Sequence, residues 1–112
     1  QLFGEEKVLN KTAIIIDDIF DSFGTIQAAS IEIMKYGAKD IIAIATHGIF
    51  SGDAIDKINN TECIKTVIVT NSLPQADNTQ KSSKLSVVDI SDLLGQTIET
   101  LQTGGSISKL FE

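Results

Sequence analysis

The sequence has no arginine and no tryptophan, and it has only one residue each of cysteine, histidine and proline. All nine basic residues are lysines, and with fifteen acidic residues the net charge is −6. This acidic balance argues against a nucleic-acid partner, because nucleic-acid surfaces carry a basic patch or stripe. Without arginine forks the chain is poorly equipped to hold a triphosphate, although backbone N–H groups can still hold a monophosphate.

The lone Cys63 cannot form an internal disulfide, which is typical of a reducing compartment, and we therefore expect a cytoplasmic location. Its only nearby cation is Lys65, so we expect a buried or half-buried residue and not a nucleophile. No apolar run approaches the length of a membrane span, and no membrane partner is expected. With 112 residues, of which 42% are hydrophobic, the chain has room for a single folded domain, residues 1–112.

Apolar runs alternate with helical patterns along the chain. This alternation indicates right-handed β-α-β crossovers and an α/β fold with a mostly parallel sheet flanked by helices. The unbroken apolar run at 13–16 predicts a first strand that is buried on both faces. The predicted strands are 12–16, 41–46, 66–70 and 85–90, and the predicted helices are 25–36, 53–59 and 91–101, the last of them amphipathic. Residues 78–84 are predicted to form a loop, and 1–11 a connecting segment or an edge strand through 7–9. Residues 106–111 are predicted to form a terminal segment that could be a strand.

Polar residues after the first strand form the main candidate site. Asp17 and Asp18 end the apolar run, and Asp21-Ser22-Phe23-Gly24-Thr25 precedes a helical pattern. Free N–H groups at a helix start favour a phosphate, a glycine lets the backbone approach it, and hydroxyls add donors. The acids would repel a bare phosphate, so they suit the sugar hydroxyls of the same ligand or Mg²⁺. Strand alternation predicts that Asp17 and Asp18 point to opposite faces.

Simpler interpretations compete with this one. Asp21 or Ser22 could cap the helix while the acid pair ends a strand at the surface, although the whole string favours a ligand site. A response-regulator receiver also has two acids after its first strand, but it needs a further aspartate after a central strand. Here the second strand ends in Thr46-His47 and the third in Thr70-Asn71, so that nucleophile is missing. We expect His47 to be a hydrogen-bonded structural residue and not a catalyst.

The string from Asp17 to Thr25 closely resembles the phosphoribosyl-diphosphate motif of type I phosphoribosyltransferases, with Ser22 where that family usually has threonine. Three further strings are similar to those of ribose-phosphate diphosphokinases (PRPP synthetases): Ala45 to Gly52, Val69 to Gln75 and Gly105 to Phe111. Simple phosphoribosyltransferases share only the first motif. The chain therefore resembles the carboxy-terminal domain of a PRPP synthetase.

This resemblance implies a type I phosphoribosyltransferase-like fold in one half of a two-domain enzyme, which assembles into homo-oligomers, hexamers of full-length chains. The family transfers diphosphate from ATP to the C1 hydroxyl of ribose 5-phosphate, with Mg²⁺. Carried over, the loop from Asp21 to Thr25 (Asp21, Ser22, Phe23, Gly24 and Thr25) would hold the 5-phosphate. Asp17 and Asp18 would engage the ribose hydroxyls, directly or through Mg²⁺.

The resemblance also implies roles for the tail and for the missing half. Ser106 and Ser108, on one face of an extended segment, and Phe111 would contribute to an allosteric site for phosphate or ADP; the alternative, which stays open, is an ordinary terminal strand. The family's ATP-clamping groups belong to the other half of the enzyme, so we expect this chain alone to be inactive. Two alternatives stay open: a non-catalytic regulatory homologue of PRPP synthetase, and a stand-alone phosphoribosyltransferase. The intact acid and hydroxyl loop favours the enzyme domain.

Overall fold

A computed structural model describes residues 5–111 of the chain. Four parallel strands form one sheet in the order β1-β2-β3-β4. The α/β fold class with a parallel sheet is thereby confirmed. The strands are β1 (Thr12–Phe20), β2 (Asp40–Gly48), β3 (Ile64–Thr70) and β4 (Leu85–Val88); the helices are α1 (Gly24–Met34), α2 (Ala54–Asn60), α3 (Ala76–Lys81) and α4 (Ser91–Thr103), with 3₁₀ turns at Glu5–Val8 and Ile107–Phe111.

The strand order decides where the core lies. Each strand pairs with the one before it, so the chain crosses the sheet in a single direction. Right-handed crossovers then place the connecting helices α1, α2 and α3 on the same face of the sheet. A doubly wound sheet, by contrast, reverses its strand order and so gains helices on both faces. The core on the covered face comprises Phe20, Phe23, Ile26, Ile41, Ala43, Ala45, Phe50, Ala54, Ile55, Ile58, Ile64, Val67, Val69 and Leu85.

The opposite face of β1 is open in the described part of the chain. Ile14 and Ile16 are 58% and 76% exposed, and they pair in register with Ile42 and Ile44 of β2. The prediction that this strand is buried on both faces is therefore wrong. β1 is an edge strand, and the crossover helices cover only its other side. An apolar run indicates a strand without indicating how many of its faces are covered.

The chain is helical at 76–81, although a loop was predicted at 78–84. The carbonyl of Gln75 accepts a hydrogen bond from the Thr79 N–H at 2.9 Å, which begins α3. The buried Gln75 side chain donates from Nε2 to the Gly48 carbonyl at 2.7 Å and so ties this helix to the end of β2. The prediction failed because this anchor joins residues far apart in sequence.

Both ends of the described chain form 3₁₀ turns instead of strands. Glu5–Val8 replaces the edge strand considered at 7–9, and residues 1–4 of the predicted connecting segment lie outside the described residues. At the other end, Gly104 takes a left-handed φ of 73° and the Gly105 N–H bonds to the Thr100 carbonyl at 2.9 Å. This glycine cap ends α4 and turns the tail back toward it, so the extended tail predicted from sequence is also wrong.

Helix α4 has the predicted amphipathic character. Its apolar side chains Leu94, Ile98 and Leu101 lie at helical spacing and are exposed. Within residues 5–111, no helix has the length and apolar character needed to cross a membrane.

Candidate functional site

The predicted loop forms a pocket at the carboxyl end of the edge strand. Its volume is about 220 Å³. Strand β1 runs through both acids to Phe20, four residues beyond the predicted end, and α1 begins at Gly24. Among the residues predicted for the site, Asp17, Asp18 and 21–25, all line the pocket except Asp18 and Gly24. The lining residues are Asp17, Ile19, Phe20, Asp21, Ser22, Phe23, Thr25 and Ile26.

Phe23 fixes the conformation of the loop. Its φ is 70°, in the left-handed region, and its side chain is 3% exposed. The ring packs edge-to-face on Phe20 with 5.4 Å between centroids, and the Phe23 carbonyl accepts the Gln27 N–H at 2.9 Å. A residue that sequence analysis placed among the ligand-binding groups is thus mainly a core anchor. The burial of the Phe23 ring stabilises the left-handed backbone turn that leads into α1.

The start of α1 keeps its N–H groups free of a side-chain cap. Phe23 is the N-cap residue, and no side chain makes the capping hydrogen bond. The interpretation that Asp21 or Ser22 caps the helix is therefore wrong. The first N–H groups of a helix need acceptors from outside it, and here they adjoin the pocket. The helix start can accept an anion.

Asp17 and Asp18 lie exposed near the end of β1. One carboxylate oxygen of each accepts the N–H of the following residue, at 2.8 Å in both cases. Hydrogen bonding with the Asp17 side chain lowers the pKa of Asp18, and backbone N–H groups and the charge of His47 lower it further. Asp18 is held in its ionised form.

The loop that follows β2 supports the pocket from the side. The N–H groups of Ile49 and Phe50 both bond to the Phe20 carbonyl, at 2.8 and 3.2 Å. The Ser51 hydroxyl donates to the carboxylate of Asp21. Asp21 is thus engaged by the protein itself, whereas the sequence suggested a free acid for ligand hydroxyls or metal. The bond from Ser51 to Asp21 thus places the string from Ala45 to Gly52 beside the string from Asp17 to Thr25.

Polar residues after β2, β3 and β4 form hydrogen bonds that link the ends of these strands to one another. His47 Nδ1 lies 2.7 Å from the Ser72 hydroxyl, in agreement with the structural role expected for it. Asn71 donates to Asp89 at 3.0 Å and accepts the Ile90 N–H at 2.9 Å. Bonds from the Ser91 hydroxyl and N–H, and then from Asn71, lower the pKa of Asp89. These contacts connect β3 to β4 and to the start of α4.

Sequence analysis missed Lys57. Its Nζ donates to the Ser22 carbonyl at 3.1 Å and lies 3.3 Å from Asp53 Oδ1. The available signal was the spacing of four residues between Asp53 and Lys57 in the predicted second helix, which places the pair on one helix face. The spacing by itself did not indicate that this face of the second helix contacts the loop at Ser22.

The tail residues form a separate group. The hydroxyls of Ser106 and Ser108 lie 2.8 Å apart, so they do come together; Ser106 immediately precedes the 3₁₀ turn Ile107–Phe111, and Ser108 lies in it. Phe111 is 72% exposed. Cys63 is half-buried against the core, as expected.

Comparisons with known proteins agree on one family. The sequence model described as the phosphoribosyl synthetase-associated domain matches residues 4–112. The ribose-phosphate pyrophosphokinase of Aquifex aeolicus is 48% identical over 101 residues, which are 90% of this chain and 32% of that protein. The crystal structure of phosphoribosylpyrophosphate synthetase from Mycobacterium smegmatis matches with a TM-score of 0.81 and 38% identity, over 88% of this chain and 32% of that one. The chain thus spans about a third of the length of these relatives.

Proposed function

The chain belongs to the family of phosphoribosyl synthetase-associated domains, and from this premise we propose that it is the ribose 5-phosphate-binding domain of a ribose-phosphate pyrophosphokinase. The observation that carries the proposal is the pocket at the end of β1, where an uncapped helix start adjoins acidic and hydroxyl side chains. A sugar phosphate needs both: donors for its phosphate and acceptors for its hydroxyls.

The phosphate end of the ligand would bind at the start of α1. The N–H groups of the first helical turn and the helix dipole favour an anion there. Ser22 and Thr25 line the same pocket and add hydroxyl donors. A Cβ built on Gly24 would have only Lys57 Nζ within 4 Å, at 3.6 Å, so the backbone is open to an approaching phosphate. This arrangement binds a monophosphate without arginine.

The sugar hydroxyls would face the acid pair. Asp17 lines the pocket and Asp18 adjoins it, and the lowered pKa of Asp18 keeps its carboxylate available as an acceptor. Within residues 5–111 no group of three or more histidine, cysteine or acidic side chains could enclose a metal. Mg²⁺ commonly binds through one or two carboxylates together with waters and substrate oxygens, and Asp17 and Asp18 suit that mode. Bound there, Mg²⁺ would neutralise charge between the acids and a phosphorylated sugar.

The complete enzyme would need more than this chain. We propose that the domain presents the C1 hydroxyl of ribose 5-phosphate, while ATP is held mainly by parts of the protein outside this sequence. Transfer of diphosphate depends on positioning and on neutralising the polyphosphate, and arginine or metal usually supplies the neutralising charge. We further propose that the chain is a single domain of a cytoplasmic homo-oligomer.

A second candidate function is a regulatory homologue that associates with the enzyme without turning over substrate. The description of the matching family model, a phosphoribosyl synthetase-associated domain, favours it. A regulator has no need of a working sugar-phosphate pocket, so ligand binding distinguishes the two candidates.

We expect this chain to bind ribose 5-phosphate and Asp17→Asn to weaken that binding about tenfold or more, because hydrogen bonds to charged groups contribute roughly 1.5–3 kcal/mol. Calorimetric titration with Mg²⁺ present measures both affinities. Asp77→Asn is the matched control: it removes the same charge from an exposed position outside the pocket and should leave the affinity unchanged. Absence of binding by the folded wild-type chain would contradict the proposal, and equal affinity in Asp17→Asn would remove Asp17 from the site.

We also propose that Ser106, Ser108 and Phe111 contribute to a site for phosphate or ADP. The 2.8 Å between the two hydroxyls allows both to donate to one phosphate group. Replacing both serines with alanine should weaken ADP binding about fivefold or more, since each lost bond contributes roughly 0.5–1.5 kcal/mol. The affinity for ribose 5-phosphate should not change, because the tail does not line the pocket. Titration of ADP measures the effect, with Ser83→Ala as control; unchanged ADP affinity would show that the tail is structural.

A further inference from the structure

Lys57 lies under the phosphate-binding loop and contacts it directly. Its ammonium donates to the Ser22 carbonyl at 3.1 Å, although the two residues are 35 positions apart in sequence. The Lys57 side chain is 27% exposed. By contrast, the side chains of the ion pair Lys35–Glu32 at the end of α1 are 68% and 54% exposed. Lys57 is therefore packed into the structure and does not extend freely into solvent.

The contacted peptide lies at the most constrained point of the loop. The Ser22 carbonyl belongs to the peptide that leads into Phe23, whose φ of 70° is unfavourable for a residue other than glycine. Left-handed backbone of this kind costs about 1–3 kcal/mol and persists when surrounding contacts hold it. The buried Phe23 ring holds one side of this turn. Lys57 holds the carbonyl that precedes it.

The Lys57 ammonium also places a positive charge beside the anion site. Nζ lies 3.6 Å from the position of a Cβ on Gly24, the first residue of α1. The loop and the end of β1 carry Asp17, Asp18 and Asp21 and contain no basic residue. A phosphate that approaches the helix start thus meets acidic charge from the strand and one cation from α2.

Asp53 orients this cation. Asp53 is the N-cap residue of α2, one turn before Lys57, and its Oδ1 is 3.3 Å from Nζ. The ammonium has three donors, so contacts to Asp53 and to the Ser22 carbonyl leave one for another partner. An exposed ion pair adds little stability, which makes orientation of Lys57 the main consequence of this contact.

We propose that Lys57 is a positioning residue of the sugar-phosphate site: it fixes the Ser22–Phe23 peptide and supplies positive charge beside the helix start. Its effect on ribose 5-phosphate rests on the function proposed above. Its effect on the loop does not, because that effect depends only on the contact between Lys57 and the Ser22 carbonyl. The two effects can therefore be measured separately.

Lys57→Met tests the proposal, since methionine keeps an unbranched apolar stem and removes the ammonium. Lys57→Arg restores a donor and the charge. Lys35→Met is the matched control, because it removes the same charge from the far end of α1. Circular dichroism first establishes that each variant is folded.

The first measurement is amide hydrogen exchange of ligand-free protein at Gln27, whose N–H bonds to the Phe23 carbonyl and so reports on the loop. We expect exchange at Gln27 to be about tenfold faster in Lys57→Met, and close to wild type in Lys57→Arg and Lys35→Met. Unchanged exchange in Lys57→Met overturns the positioning role.

The second measurement is the affinity for ribose 5-phosphate and its dependence on salt. We expect Lys57→Met to bind about tenfold more weakly and with a smaller salt dependence, because one attracting charge is gone, and we expect Lys57→Arg to recover most of the affinity. Failure of the arginine variant to recover affinity, or an equal loss in Lys35→Met, contradicts the electrostatic role. If wild type binds no ribose 5-phosphate while exchange at Gln27 still accelerates, the proposed function fails and the positioning role stands.

Discussion

Replacing Phe23 with alanine is expected to destabilise the protein by about 3–5 kcal/mol, the usual range for deleting a buried phenylalanine ring. The ring is 3% exposed and packs against Phe20 with its centroid 5.4 Å away. Alanine keeps the left-handed backbone strain at this position and loses the packing that holds it. Since domains are stable by about 5–15 kcal/mol, this loss is a large fraction of the total.

Urea unfolding of the wild-type and variant chains measures this difference. Phe111→Ala is the matched control, because Phe111 is 72% exposed and its removal should change the free energy of unfolding by less than about 0.5 kcal/mol. Equal effects of the two substitutions would show that the Phe23 ring is not part of the core. Contacts other than the Phe23 ring would then have to hold the loop that lines the pocket.

Gly48→Ala is expected to destabilise the protein by about 1–3 kcal/mol, the range for overpacking a filled core. A Cβ on Gly48 would lie 2.5 Å from Cε2 of Phe50 and 3.1 Å from Nε2 of Gln75. Both neighbours are buried, and Gln75 also donates to the Gly48 carbonyl at 2.7 Å. The ring of Phe50 must move to admit a methyl group, which disturbs the segment that bonds to the end of β1.

Gly95→Ala provides a control with the opposite sign. Gly95 lies inside α4, and a Cβ there meets no atom within 4 Å. Alanine should stabilise the helix by roughly 0.5–1 kcal/mol, because glycine is the more flexible residue when unfolded. Thermal or urea unfolding of both variants compares them directly. A stabilising Gly48→Ala would mean that the space beside Phe50 is larger than the structure indicates.

The candidate site was predictable because its parts are adjacent in sequence. Asp17, Asp21, Ser22 and Thr25 occur within nine residues, and the structure brings them to one pocket. The residues that support this pocket come from the next loop and helix: Ser51 bonds to Asp21, and Lys57 bonds to the Ser22 carbonyl. Sequence reasoning assigned Ser51 only to a family motif and gave Lys57 no role, since these contacts span 30 and 35 residues.

The sequence by itself determined the alternation of strands and helices, the position of the acid and hydroxyl loop, and the amphipathic character of α4. These follow from local patterns: apolar periodicity, glycine positions and charge spacing. Only the tertiary structure decided that Ile14 and Ile16 of β1 face outward, that Phe23 is a core anchor, and that Asp21 is bound by Ser51. The physical reason is that exposure and hydrogen-bond partners depend on which segments meet in space, and the one-directional strand order places the crossover helices on a single face.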